Sequence, residues 1–117
     1  MPDLPIFPLQ SVLLPGMPVV LRIFEPRYLF MFERVLEGSG EFGVVLIERG
    51  PEVGGGDRRF TRGTLAEVKQ YRQTEDGQLA VVASGGPRFE VLRWYDDDPH
   101  PEAVVRWLPA LEWSEAL

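Results

Sequence analysis

The residues of this chain that could do chemistry are few, and their spacing argues against most of it. His100 is the single histidine, and it stands between Pro99 and Pro101 directly after Asp96-Asp97-Asp98. Clustered carboxylates suit a hard cation, but the run lacks the glycine-turned loop and the bidentate glutamate at fixed offset that a calcium loop needs. It reads as a solvated acidic loop, and no metal site is assigned. Gly50-Pro51-Glu52-Val53-Gly54-Gly55-Gly56-Asp57 invites a phosphate-cradling reading. No Lys-Ser/Thr follows it and acids flank the glycines, so it is expected to be a flexible connection between strands. The Arg58-Arg59 pair behind it could meet an anion but is expected to be solvated. Ser84 lies outside any Gly-x-Ser-x-Gly elbow, and a triad would have to recruit His100 from a proline-rich loop. There is no Walker motif, and the absence of cysteine removes disulfide and thiolate chemistry. The expectation is a protein with no catalytic residues and no cofactor.

Composition narrows the remaining classes. A chain of 117 residues with 44% hydrophobic and 11% aromatic content has room for one domain with one core. The net charge of −6 is uneven: residues 1–89 carry 11 acids against 10 bases, and residues 90–117 carry 7 against 2. Neither part supplies the clustered positive charge that neutralises nucleic-acid phosphates, so nucleic acid is a disfavoured partner. Eleven of the twelve basic residues are arginine, which with the abundant Gly and Pro suggests a GC-rich bacterial coding bias. No apolar run approaches a membrane span, and the amino terminus lacks the features of a secretory signal. A cytoplasmic protein is the expectation, with oligomeric state left open.

The elements that would position any site are mostly strands. The strongest helix pattern is Pro26 to Glu37, with Pro26 suited to the first turn and Gly38 to a left-handed stop. Tyr28, Leu29, Phe32, Val35 and Leu36 are assigned to its core face, leaving Phe30 and Met31 at the margin. Strands are predicted at Val19–Phe24, Phe42–Ile47, Thr64–Tyr71, Leu79–Ala83, Arg88–Tyr95 and about Ala103–Leu108. Glu75-Asp76-Gly77 reads as a hairpin turn, and Gly85-Gly86-Pro87 as another. Many short strands with one helix suggest a closed or nearly closed β-barrel.

Six segments, taken in order, carry a family resemblance. They are Leu4-Pro5-Ile6-Phe7-Pro8-Leu9, Leu14-Pro15-Gly16, Leu21-Arg22-Ile23-Phe24-Glu25-Pro26-Arg27-Tyr28, Phe42-Gly43-Val44-Val45-Leu46, Gly63-Thr64-Leu65-Ala66-Glu67-Val68 and Gly85-Gly86-Pro87-Arg88-Phe89-Glu90-Val91. Together they resemble the substrate-binding, amino-terminal domain family of Lon proteases, in its stand-alone bacterial form. The resemblance implies a mainly β fold, a PUA-like pseudo-barrel of about six strands with a helix at one end. It implies one domain over 1–117, with the barrel at about 4–108 and an acidic tail at 109–117. Stand-alone members usually continue into a helical extension, whereas this sequence ends at Leu117, so nothing that needs those helices is carried over. The serine and lysine of Lon proteolysis belong to a separate domain.

The implied role is non-catalytic recognition of unfolded or tagged polypeptides, or of a partner protein. Tyr28, Phe30, Met31 and Trp113 are the candidate partner-binding residues, since an exposed aromatic or apolar group rimmed by polar ones can anchor a partner. Glu25, Arg27 and Arg88 are expected to hold the fold through ion pairs or carbonyl bridges. Trp94 and Trp107 are assigned to packing. RNA binding is the alternative, and it rests on the PUA-like architecture alone.

Overall fold

The computed structural model describes residues 2–49 and 58–109. The elements are β1 (Asp3–Leu9), β2 (Pro18–Ile23), α1 (Pro26–Glu37), β3 (Glu41–Arg49), β4 (Arg58–Gln73), β5 (Leu79–Trp94) and β6 (Glu102–Trp107). The strand order is β2-β5-β4-β3-β1-β6, and β6 also pairs with β5. Five strands therefore close into a ring, with β2 alongside. This is the six-stranded pseudo-barrel with one helix that the resemblance implied.

Closure depends on β5 having two different neighbours on one edge. Its residues from Leu79 to Ser84 pair with β2, and those from Phe89 to Trp94 pair with β6. The other edge pairs with β4 along nearly its whole length. The expected turn at Gly85-Gly86-Pro87 is absent, because β5 runs straight through these residues. The local signal for a turn is overridden by the ladder to β4, which absorbs the irregularity as a register shift between Thr64 and Ala66.

Strand β1, with two prolines and no polar–apolar alternation of residue types, alternates in burial from Asp3 to Leu9 and is one of the strands of the ring. Asp3 to Pro5 pair antiparallel with β6, and Ile6 to Leu9 pair parallel with β3. Each proline thus sits where only one edge of the strand is paired, so its missing N–H is tolerated. The predicted hairpin turn at Glu75-Asp76-Gly77 is present, with Gly77 at φ 82° and its N–H bonded to the Thr74 carbonyl at 3.1 Å. The Thr74 hydroxyl donates to the Asp76 carboxylate, which lies below the usual carboxylate range for that reason first. A carboxyl depressed in the folded state contributes stability at neutral pH that is lost as the pH falls through its folded value.

The core has two parts. Under the helix, Tyr28, Met31, Phe32 and Val35 pack onto Leu21, Ile23, Phe42 and Val81. Inside the ring, Phe89 packs with Ile6, Val45, Leu65 and Val105. Phe89 occupies space that side chains at Gly43 and Gly63 would need, since a Cβ at either would lie within 3 Å of its ring. The buried helix positions are i, i+3, i+4 and i+7 from Tyr28, one stripe of a 3.6-residue period. Met31 therefore belongs to the core face, whereas Leu29 and Leu36 are only partly buried. The left-handed residue after the helix is Gly40, at φ 78°, and not Gly38, whose φ is −103°.

Because Met31 is fully buried, Met31→Ala should cost about 2–5 kcal/mol. Phe30→Ala, on the exposed side of the same helix, should cost less than about 1 kcal/mol. Thermal unfolding of the two variants checks this, and the midpoint of Met31→Ala should fall by roughly 10 °C or more.

Candidate functional site

Residues 10–17 connect β1 to β2, and three backbone features fix them against β4 and β5. The Thr64 hydroxyl, buried on β4, donates to the Leu13 carbonyl at 2.7 Å. Gly16 N–H donates to the Gly85 carbonyl, and Gly85 N–H to the Met17 carbonyl, both at 2.8 Å. Leu14-Pro15-Gly16-Met17 closes with a Met17 N–H to Leu14 carbonyl bond of 3.0 Å and φ 79° at Gly16. Proline second and a positive-φ glycine third are what a type II turn requires. The turn can lie on β5 only because Gly85 has no side chain, since a Cβ there would be 2.2 Å from the Leu14 carbonyl oxygen.

These anchors decide which side chains face out. Leu13 is buried, while Val12 and Leu14 on either side of it are each 54% exposed. Beside them runs a groove of about 430 Å3, lined by Val12, Leu14, Leu46, Phe60, Arg62 and Arg88 together with buried Val44 and Thr64. Phe60 is 43% exposed. The groove's lining is mostly apolar, with Ser11, Thr64 and two arginines as its polar side chains, and neither arginine forms an ion pair among the described residues. Fully covering one such Leu or Phe is worth roughly 1.5–3 kcal/mol. A contiguous apolar surface with a polar rim is the usual form of an interaction site.

The sequence-derived candidates are dispersed. Tyr28 and Met31 are in the core, with the Tyr28 ring 4.6 Å from that of Phe7, so neither presents its side chain to a partner. Phe30 is 43% exposed, with the Arg34 guanidinium 5.6 Å from its ring and His100 at 6.2 Å. Trp113 lies outside the described residues. Arg88 lines the groove. Trp107 is 43% exposed against the edge of Phe89, and Trp94 stacks under the Arg59 guanidinium at 4.9 Å.

Asp96 to Asp98 are exposed, in keeping with a solvated acidic loop, but Asp97 is also ion-paired, and Arg59 is half-buried on β4. Asp97 accepts from Arg59 at 2.8 Å and lies 3.8 Å from Arg27, whose Nε is 3.4 Å from Glu25. The cluster ties the helix start to β4 and to the β5–β6 connection. His100 is buried, its Nδ1 2.9 Å from the Pro101 carbonyl. Among the described residues no group of three His, Cys, Asp or Glu could hold a metal ion.

Val12, Leu14, Phe60 and Arg62 were not legible as a site in the sequence. The available signal was a turn motif, Leu-Pro-Gly, flanked by apolar residues where turns are ordinarily polar.

Fold and groove define the class: a small closed β-barrel whose β1–β2 connection builds an apolar surface groove. The model of the ATP-dependent protease La (LON) substrate-binding domain matches residues 3–116, and the chain belongs to that family. A Lon N-terminal domain protein from Xanthomonas campestris superposes with a TM-score of 0.78 at 34% identity, over 93% of this chain and 61% of that one. Lon protease 1 of Bdellovibrio bacteriovorus is 27% identical over 107 residues, 89% of this chain and 13% of that protein. Protein cereblon of Danio rerio is 28% identical over 93 residues, 76% of this chain and 21% of that protein. The chain thus spans about a fifth or less of the length of these curated relatives.

Gly85→Ala should lift the turn from β5, since a backbone carbonyl cannot yield as a flexible side chain does. The expected result is faster amide exchange at Gly16 and Gly85, with an overpacking cost of about 1–3 kcal/mol. Thr64→Val, which removes one hydrogen bond, should cost about 1 kcal/mol. Hydrogen exchange and thermal melts of both variants check this.

Proposed function

We propose that this chain is a non-catalytic module that binds unfolded or tagged polypeptides through extended apolar segments, and that the groove beside residues 10–17 is where they lie. The observation that carries the reading is the exposure of Val12 and Leu14 on a backbone fastened at Leu13, Gly16 and Met17. A segment whose backbone is already fastened needs less ordering when a partner covers its apolar side chains. The family's description as a substrate-binding domain supports the same role. Phe30, exposed on the helix, is a second contact in this proposal. A polyphosphate partner is opposed by the net charge of −6. Among the described residues no helix is long and apolar enough to cross a membrane, and the proposal takes the module to act in the cytoplasm, alone or beside a separate ATPase and protease.

The test uses labelled β-casein, a natively unfolded chain, and follows its binding by fluorescence anisotropy. Replacing Val12 and Leu14 together by serine should weaken binding at least about tenfold, the equivalent of about 1.4 kcal/mol. The unfolding midpoint should move by only a few degrees. Retention of full affinity would move the site elsewhere. The purified chain should neither cleave the casein nor hydrolyse ATP, and turnover abolished by Ser84→Ala would overturn the non-catalytic reading.

A further inference from the structure

The arginines of the groove are more specific than its apolar floor. Arg62 lies opposite Glu90 on the β4–β5 ladder, and Arg88 lies opposite Thr64. The two arginines are therefore diagonal neighbours on adjacent strands, about 7–8 Å apart at the backbone. Glu90 is also opposite Arg106 on β6 and is held by its guanidinium. These four side chains carry three positive charges against one negative, on a chain whose net charge is −6. Arg62 and Arg88 are like charges on diagonal positions of one sheet face, Glu90 opposite Arg62 is ion-paired with Arg106, and neither Arg62 nor Arg88 has an ion pair of its own among the described residues.

Resting on the polypeptide-binding reading above, we propose that the groove selects extended segments in which one aspartate or glutamate side chain is flanked by apolar residues. The carboxylate lodges between Arg62 and Arg88, while its neighbours cover Val12, Leu14 and Phe60. Guanidinium groups suit this task because their planar donors match a carboxylate and are weakly hydrated. The partner carboxylate is a side chain and not a chain end, because terminal carboxylates are captured in nests of backbone N–H groups, whereas here the donors are two side chains along a sheet face.

Ten-residue apolar peptides with blocked ends, carrying either one central Glu or the isosteric Gln, test this by calorimetry. The Glu peptide should bind wild-type protein about five- to tenfold more tightly, with the difference shrinking in high salt. Arg62→Gln and Arg88→Gln should each reduce the difference to below about twofold, chiefly by weakening the Glu peptide, and neither should lower the unfolding midpoint. Equal affinity of both peptides for the wild type would overturn the proposal and leave the polypeptide-binding reading standing. No binding of either peptide would overturn both. A Gln peptide with a free C-terminal carboxylate that matches the Glu peptide would overturn the side-chain assignment. Displacement of the Glu peptide by micromolar oligouridine would overturn it in favour of nucleic acid.

Discussion

The structure depends on one strand being shared. β5 pairs with β4 on one edge while its other edge passes from β2 to β6, and the hand-over falls at Gly85-Gly86-Pro87. A ring that closes through a shared strand has a register shift and a vacant strip of edge at that point. Gly85 leaves that strip open, because backbone can approach where a Cβ would otherwise stand. The vacant strip is occupied by the turn at Leu14–Met17, which gives back the two hydrogen bonds that β5 would otherwise lack at Gly85. Closing the barrel and placing the β1–β2 connection are thus one event.

That coupling explains why a short connection has a definite shape. Most loops of this length are free to sample several conformations, because their backbone groups bond water. Here a buried threonine, a buried leucine and a glycine contact hold the segment at three points, and Val12 and Leu14 stand exposed on either side of buried Leu13. An apolar groove whose wall is fixed before a partner arrives requires less ordering on binding. Polar interactions elsewhere act at the joints of the fold. Asp97 receives Arg59 from β4 and faces Arg27 from the helix start, so the helix, the long strand and the β5–β6 connection meet on one carboxylate. Such partly exposed pairs contribute on the order of 1 kcal/mol or less each, which makes them aids to register more than the source of stability. The burial of Phe32, Phe42 and Phe89 is the larger contribution.

The sequence by itself determined the fold class, the helix at Pro26–Glu37, the approximate position of five strands and the family, because each is written in local periodicity or in an ordered set of short segments. It also excluded, by motif, a Walker site and a nucleophile elbow. Tertiary structure alone decided the rest. The Gly-Gly-Pro stretch is indistinguishable from a turn until the ladder to β4 is known, and β1 alternates in burial although its half-buried positions are Pro5, Phe7 and Leu9, which leave no polar–apolar period to read. Met31 and Leu29 are both apolar, so hydrophobicity could not say which of them the sheet would cover; the packing of the helix on Leu21, Ile23 and Phe42 did. The groove was the least legible feature. Its residues come from a connection and three strands, up to 77 positions apart between Ser11 and Arg88, and a surface assembled across a closed ring has no period to read along the chain.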